Sequence, residues 1–152
     1  MGCAVTAMAM ILKTLGYNYD PLTLNNKMTQ EGRFTKNDKG NWSGGVDWLA
    51  LNKYASDKIK KEPVPLGKQS NWDNKTPLNL ETLNSHLSNN SFIIALVGNP
   101  KRHKPEEVTN HWVIISENKN GTYQIVDQGC YGRTTLNSYQ NKIYRAIIYE
   151  RK

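Results

Sequence analysis

Apolar residues crowd the start of the chain so densely that the first predicted helix has almost no polar face. Ala4, Val5, Ala7, Met8, Ile11, Leu12 and Leu15 leave only Thr6, Lys13 and Thr14 as polar breaks. A helix of that kind is buried rather than laid on a surface. Gly16 stands where a left-handed cap would end it. After a turn at Tyr17–Pro21, Pro21 at a first helical position with Leu22, Leu24 and Met28 predicts a helix over 21–29. The polar, glycine-bearing stretch from Glu31 to Gly45 reads as a loop. Val46, Trp48, Leu49, Leu51 and Tyr54 predict a third helix over 46–54. Residues 56–77, with three prolines and an Asn71-Trp72 pair, carry no clear pattern. Leu80, Leu83 and Leu87 predict a fourth helix over 78–87, broken by Ser88-Asn89-Asn90.

The character then changes. Phe92 to Val97 is a short, wholly apolar run, as expected of a central strand. A polar loop over 98–110 leads to a strand beginning at His111 and running to Ser116. Asn118 to Gly121 supplies a hairpin turn, because Asn-Gly tolerates positive φ, and Tyr123 to Asp127 returns from it. A short helix over 134–139 and a last strand over 146–149 complete the order. Helices first and an antiparallel sheet second make an α+β layout, expected as one domain over 1–152.

Charge and cysteine content change the picture little. The formal net charge of +7 suits an anionic partner, such as a phosphate-rich polymer of a bacterial wall, as well as it suits simple solubility. The lysines are dispersed, with small groups at Lys58, Lys60, Lys61 and at Lys101, Arg102, Lys104, and lack the aromatic interleaving of a nucleic-acid module. Nucleic acid is therefore not expected as a partner. Cys3 and Cys130 make no disulfide framework, no Cys/His cluster has metal spacing, no cofactor is expected, and no apolar run is long enough to span a bilayer.

Three polar residues sit where packing alone would not ask for them. Cys3 opens the buried helix, where unpartnered first-turn N–H groups favour a thiolate. His111 begins a strand, and Asp127 ends the strand that folds back on it. Counted from the turn, the two fall near the same end of the hairpin, although whether they share a face depends on register. A thiol, an imidazole and a carboxylate together suit nucleophilic attack on a carbonyl. Each has a plainer reading: a small buried cysteine and two hydrogen-bonded strand ends. His86 reads as a surface or helix-end residue and His103 as a loop residue among charges. Trp112 could shield the imidazole–carboxylate pair from water, or simply pack against the core.

Gly2-Cys3-Ala4-Val5-Thr6-Ala7-Met8-Ala9-Met10, His111-Trp112-Val113-Ile114-Ile115, Tyr123-Gln124-Ile125-Val126-Asp127 and the tail from Gly132-Arg133 to Tyr139 resemble the bacteriocin-processing, double-glycine-leader type of papain-like cysteine peptidase (family C-thirty-nine and its relatives). The resemblance implies a papain-like α+β fold, with Cys3 as nucleophile, His111 as general base and acid, and Asp127 orienting His111. It implies cleavage of a peptide or of a peptidoglycan-type cross-link, in an extracellular or wall-associated bacterial or phage setting. The family also carries an oxyanion-binding glutamine upstream of its cysteine. Only Met1 and Gly2 precede Cys3 here, and Gln30, Gln69, Gln124, Gln128 and Gln140 match nothing in that role. Three expectations stay open: an upstream segment carries the glutamine, another group takes its place, or the protein is a weak or non-hydrolytic relative. A non-catalytic peptide- or wall-binding module is the alternative to a peptidase, and acyl transfer to an amine a third account. Gln128, where many relatives have proline, is expected to alter the turn only, and Cys130 has no assigned role.

Overall fold

The computed structural model describes residues 2–36, 38–40, 42–67, 76–87, 90–98, 108–128 and 132–152. The Asn71-Trp72 pair, His103 with its neighbouring basic residues, and Cys130 lie outside them. The first helix, α1, spans Gly2–Thr14 and buries Ala4, Val5, Ala7, Met8, Ala9, Ile11 and Leu12. Its end is a Schellman motif: Gly16 has φ +94°, its N–H donates to the Lys13 carbonyl, and the Tyr17 N–H donates to that of Leu12. Helix α2, Pro21–Gln30, starts from a reciprocal capping box between Asp20 and Thr23, with proline in the first turn.

Two strands replace part of the expected loop at 31–45. β1, Phe34–Lys36, pairs antiparallel with β2, Trp42–Val46. The pairing is invisible as alternation because it is carried by backbone and by close approach: Thr35 lies against the backbone of Gly45, where any Cβ would clash. Since Val46 belongs to that ladder, helix α3 begins later than expected and covers only Leu49–Tyr54. Asp47 opens it, with Oδ1 accepting from the Leu49 N–H (3.0 Å) and Oδ2 pairing with Arg33 (2.8 Å).

The larger sheet has the order β3-β7-β4-β5-β6, all antiparallel. Its centre is β4, Ser91–Gly98, flanked by β5, Val108–Lys119, and by β7, Ile143–Glu150. β6, Thr122–Val126, is one edge, and β3, Val64–Leu66, the other. β3 lies in the stretch that had no pattern; a proline in a three-residue edge strand removes any signal while leaving room for pairing. The helix expected over 78–87 is a single 3-10 turn, Leu80–Leu83. Thr82 Oγ1 donates to the Asn79 carbonyl (2.6 Å) and Ser85 Oγ to the Thr82 carbonyl (3.4 Å), local bonds that compete with helix propagation. The short element near 134–139 is likewise a 3-10 turn, Leu136–Tyr139.

Alternation along the strands divides the core. Ile94, Ile147 and Tyr149 face α1, packing with Met8, Ile11 and Leu12. Ile93, Val113, Ile115 and Ile148 face the other way, onto Leu83, Leu136 and Tyr139. The mixed arrangement therefore has one sheet buried on both faces, which is why β4 is apolar throughout.

Candidate active site

His111 is the fourth residue of β5, which begins at Val108 rather than at the histidine. From His111 to Ile115 the strand pairs without interruption against β4, so His111, Val113 and Ile115 share the face turned away from α1, while Trp112 and Ile114 face α1. The register to β6 is decided by one residue. Next to the Asn120-Gly121 turn (φ +52° and +89°) the pairs are Lys119–Thr122, Asn118–Tyr123 and Glu117–Gln124, but beyond it they are Ile115–Ile125 and Ile114–Val126. Ser116 is the extra residue of a β-bulge. Carried one residue past Val126, this register sets Asp127 opposite Val113, on the face that His111 occupies. Without the bulge Asp127 would stand opposite Ile114, on the α1 face and out of reach of the imidazole.

The result is a direct contact. His111 Nε2 lies 2.9 Å from Asp127 Oδ1, with the imidazole 17% exposed and the carboxylate wholly buried. The other oxygen of Asp127 accepts from the hydroxyl of Tyr139, and Arg133 Nη1 stands 4.0 Å from the same atom. The guanidinium of Arg133 lies over the Tyr139 ring (5.5 Å to its centroid), and the Tyr139 ring is 5.8 Å from that of His111. These residues come from the tail after β6, which folds back along the strand: the Ile125 N–H donates to the Thr134 carbonyl, and Gln124 and Thr135 form a bridge. Buried and bonded to Asp127, the Tyr139 hydroxyl is held above its ordinary pKa.

Cys3, a half-buried thiol in the first turn of α1, hydrogen-bonds the same ring. Burial pushes the Cys3 thiol up, but the hydrogen bond to His111 and a backbone N–H from Trp112 outweigh it, and the thiol lies below its ordinary value of 9.0. His111 moves oppositely, above 6.5: its bond to Cys3 raises it most, burial opposes, and Asp127 adds to the rise. Both shifts favour a thiolate–imidazolium pair. The structure thus brings Cys3, His111 and Asp127 into one chain of contacts. His86 takes no part in these contacts; its backbone N–H donates to the Leu83 carbonyl (2.9 Å).

Trp112 packs on the α1 face against Trp48 (4.6 Å between centroids), so it does not cover the imidazole–carboxylate pair on the opposite face. Arg133 and Tyr139 carried no functional expectation from the sequence, since only the folded-back tail puts them behind Asp127. Among the described residues no group of three His, Cys, Asp or Glu side chains could hold a metal, and no helix is long and apolar enough to cross a membrane.

If Tyr139 acts by holding Asp127, Tyr139→Phe is expected to lower thiol reactivity at neutral pH by about tenfold, the scale of one hydrogen bond to a charged group. The alkylation rate of Cys3 against pH checks this. Its alkaline limb should move to lower pH, because a less firmly held carboxylate supports the imidazolium less.

A helix-borne thiol packed on an antiparallel sheet, with a histidine–carboxylate pair at the rim of that sheet, is a papain-like α+β arrangement. No family model matches the sequence, and no curated protein matches it. Among solved structures, the chain is similar to the peptidase domain of Streptococcus ComA, a bi-functional ABC transporter involved in a quorum-sensing pathway. The TM-score is 0.54 at 16% sequence identity, over 99% of this chain and 92% of that one. The likeness is one of fold.

Proposed function

We propose that the protein is a cysteine peptidase that cleaves a peptide bond with Cys3 as nucleophile, His111 as general acid and base, and Asp127 as the group orienting the imidazole. The observation that carries this reading is the imidazole held between a thiol and a wholly buried carboxylate, Nε2 at 2.9 Å from Asp127. Cys3 thiolate attacks the peptide carbonyl, and the electron pair moves onto oxygen. The first-turn N–H groups of α1, which have no carbonyl four residues earlier in the helix, suit that developing charge. Collapse expels the amine, which takes its proton from the His111 imidazolium. Water, deprotonated by the neutral imidazole, then attacks the thioester and releases the acid, restoring thiolate and imidazolium. The similarity in fold to a peptidase domain supports the same reaction class.

The test is the pH dependence of alkylation by iodoacetamide. With the thiol below 9.0 and the imidazole above 6.5, Cys3 should react rapidly at pH 7. The rate should fall only as pH drops through the lowered thiol pKa. A second change should appear as pH rises through the raised imidazole pKa, where the ion pair becomes an ordinary thiolate. A single rise centred near 9, as for an isolated cysteine, would sink the reading.

A further inference from the structure

One charged group beside this site has no part in the chemistry above. Arg145 on β7 pairs with Leu96 on β4, and Leu96 pairs with Trp112 on β5, so the three form a row on the α1 face of the sheet. At a strand spacing of about 4.8 Å, the backbones of Arg145 and Trp112 are about 10 Å apart. The guanidinium reaches back across Leu96 to lie 6.0 Å from the centre of the Trp112 ring. Trp112 is the residue whose backbone N–H meets the Cys3 sulfur, so the cation lies one side chain removed from the reacting atom.

Its environment is costly for a cation. The Nε is buried without a hydrogen-bond partner, and among the described residues no carboxylate stands at ion-pair distance. Burial lowers the pKa of Arg145, and the Tyr149 hydroxyl opposes it. Leu96 is 5% exposed and supplies no polar atom to the row. The residue is half-buried, and a buried guanidinium Nε without a partner carries a desolvation cost that an anionic partner would offset. Set 6.0 Å from the centre of the Trp112 ring, the guanidinium keeps an N–H fork suited to a planar bidentate partner.

We infer that Arg145, seated on Trp112, is a substrate subsite that takes a carboxylate of the peptide, making the substrate an acidic peptide. The inference rests on the peptidase reading and gives it a substrate class; the net charge of +7 favours the same substrates at longer range. The carboxylate can come from an Asp or Glu side chain near the scissile bond or from a free C-terminus.

Matched thiol-directed probes separate these sources. Bromoacetyl-glutamate amide is compared with bromoacetyl-glutamine amide, the same pair is extended by one alanine after the bromoacetyl group, and bromoacetyl-glutamine is used with a free α-carboxylate. In the wild type at least one acidic probe should label Cys3 about tenfold faster than its neutral isostere, the scale of a charge-assisted pair. In Arg145→Gln that ratio should fall toward one. Arg145→Met, which keeps the apolar stem against Trp112, gives the same reading should the glutamine variant fail to fold. The acid-to-neutral ratio cancels any general change in thiol reactivity. An equal ratio in wild type and variants, or no acid preference at any probe length, overturns the subsite. If iodoacetamide leaves Cys3 unlabelled, the peptidase reading falls by itself. Acetyl-capped versions of the probes, titrated against tryptophan fluorescence, then decide whether Arg145 still selects the acid.

Discussion

Replacing Cys3 by alanine is expected to lower peptide cleavage by at least about 10⁴-fold, to the level of background. Covalent catalysis has no substitute here: with the sulfur gone, the His111 imidazole and the first turn of α1 still surround a carbonyl but nothing attacks it. Serine at position 3 should be almost as inactive. Its hydroxyl ionises far above the thiol, beyond what one imidazolium and a helix terminus can offset. The fold should barely notice either change, because Cys3 is only half-buried and lies at the end of α1, outside the packed stretch from Ala4 to Leu12. Melting temperature and iodoacetamide labelling, measured on the same samples, separate the two effects. Cleavage that survives in Cys3→Ala with a normal melt would remove the thiol from the mechanism.

Asp127→Asn is expected to reduce turnover by about 10³- to 10⁴-fold and to destabilise the protein as well. The reason is a count of donors. His111 Nε2 approaches one carboxylate oxygen; the Tyr139 hydroxyl and the Arg133 guanidinium approach the other. A carboxylate accepts on both sides, whereas an amide accepts on one and donates on the other. With its oxygen turned to His111, the amide NH2 faces the Arg133 guanidinium, which can only donate. Turned the other way, it faces an imidazole that must change tautomer to accept from it, around a side chain with no exposure to water. One buried unpaired donor costs on the order of 1–3 kcal/mol. Turned toward Tyr139, the amide oxygen also leaves the imidazole without its anchor and in the wrong tautomer for the thiol. Loss of the carboxylate removes one of the influences that raise His111, so its pKa should move back toward 6.5 and the alkaline limb of the pH profile should shift to lower pH. Adding Tyr139→Phe should restore part of both activity and stability, since the oxygen can then face His111 without opposition. A double-mutant cycle on melting and turnover checks this. Strict additivity of the two losses would mean that Tyr139 and Asp127 do not act as a unit.

The donor arrangement around Asp127 also marks the boundary of what can be read from residues alone. The thiol at the head of an apolar helix, the central strand and the Asn-Gly turn each announce themselves locally, through periodicity or a turn's demand for positive φ. β1, β2 and β3 do not, because short strands held by backbone pairing, with glycine or proline among them, leave no alternation. The expected helices at 46–54 and 78–87 came out shorter for a related reason: Val46 is drawn into a ladder, and Thr82 and Ser85 spend their hydroxyls on nearby carbonyls.

By itself, then, the amino-acid sequence determined the layout of helices before the main sheet, the buried first helix and its cap, and the placing of a cysteine at a helix start with a histidine and an aspartate on the two arms of one hairpin. Only the tertiary structure decided that the histidine and aspartate share a face, through the single extra residue Ser116, and that Tyr139 and Arg133 close behind the carboxylate. The physical reason is that a strand's side chains alternate. A shift of one residue in pairing exchanges the two faces of the sheet, and that shift is set by contacts between segments far apart in the chain.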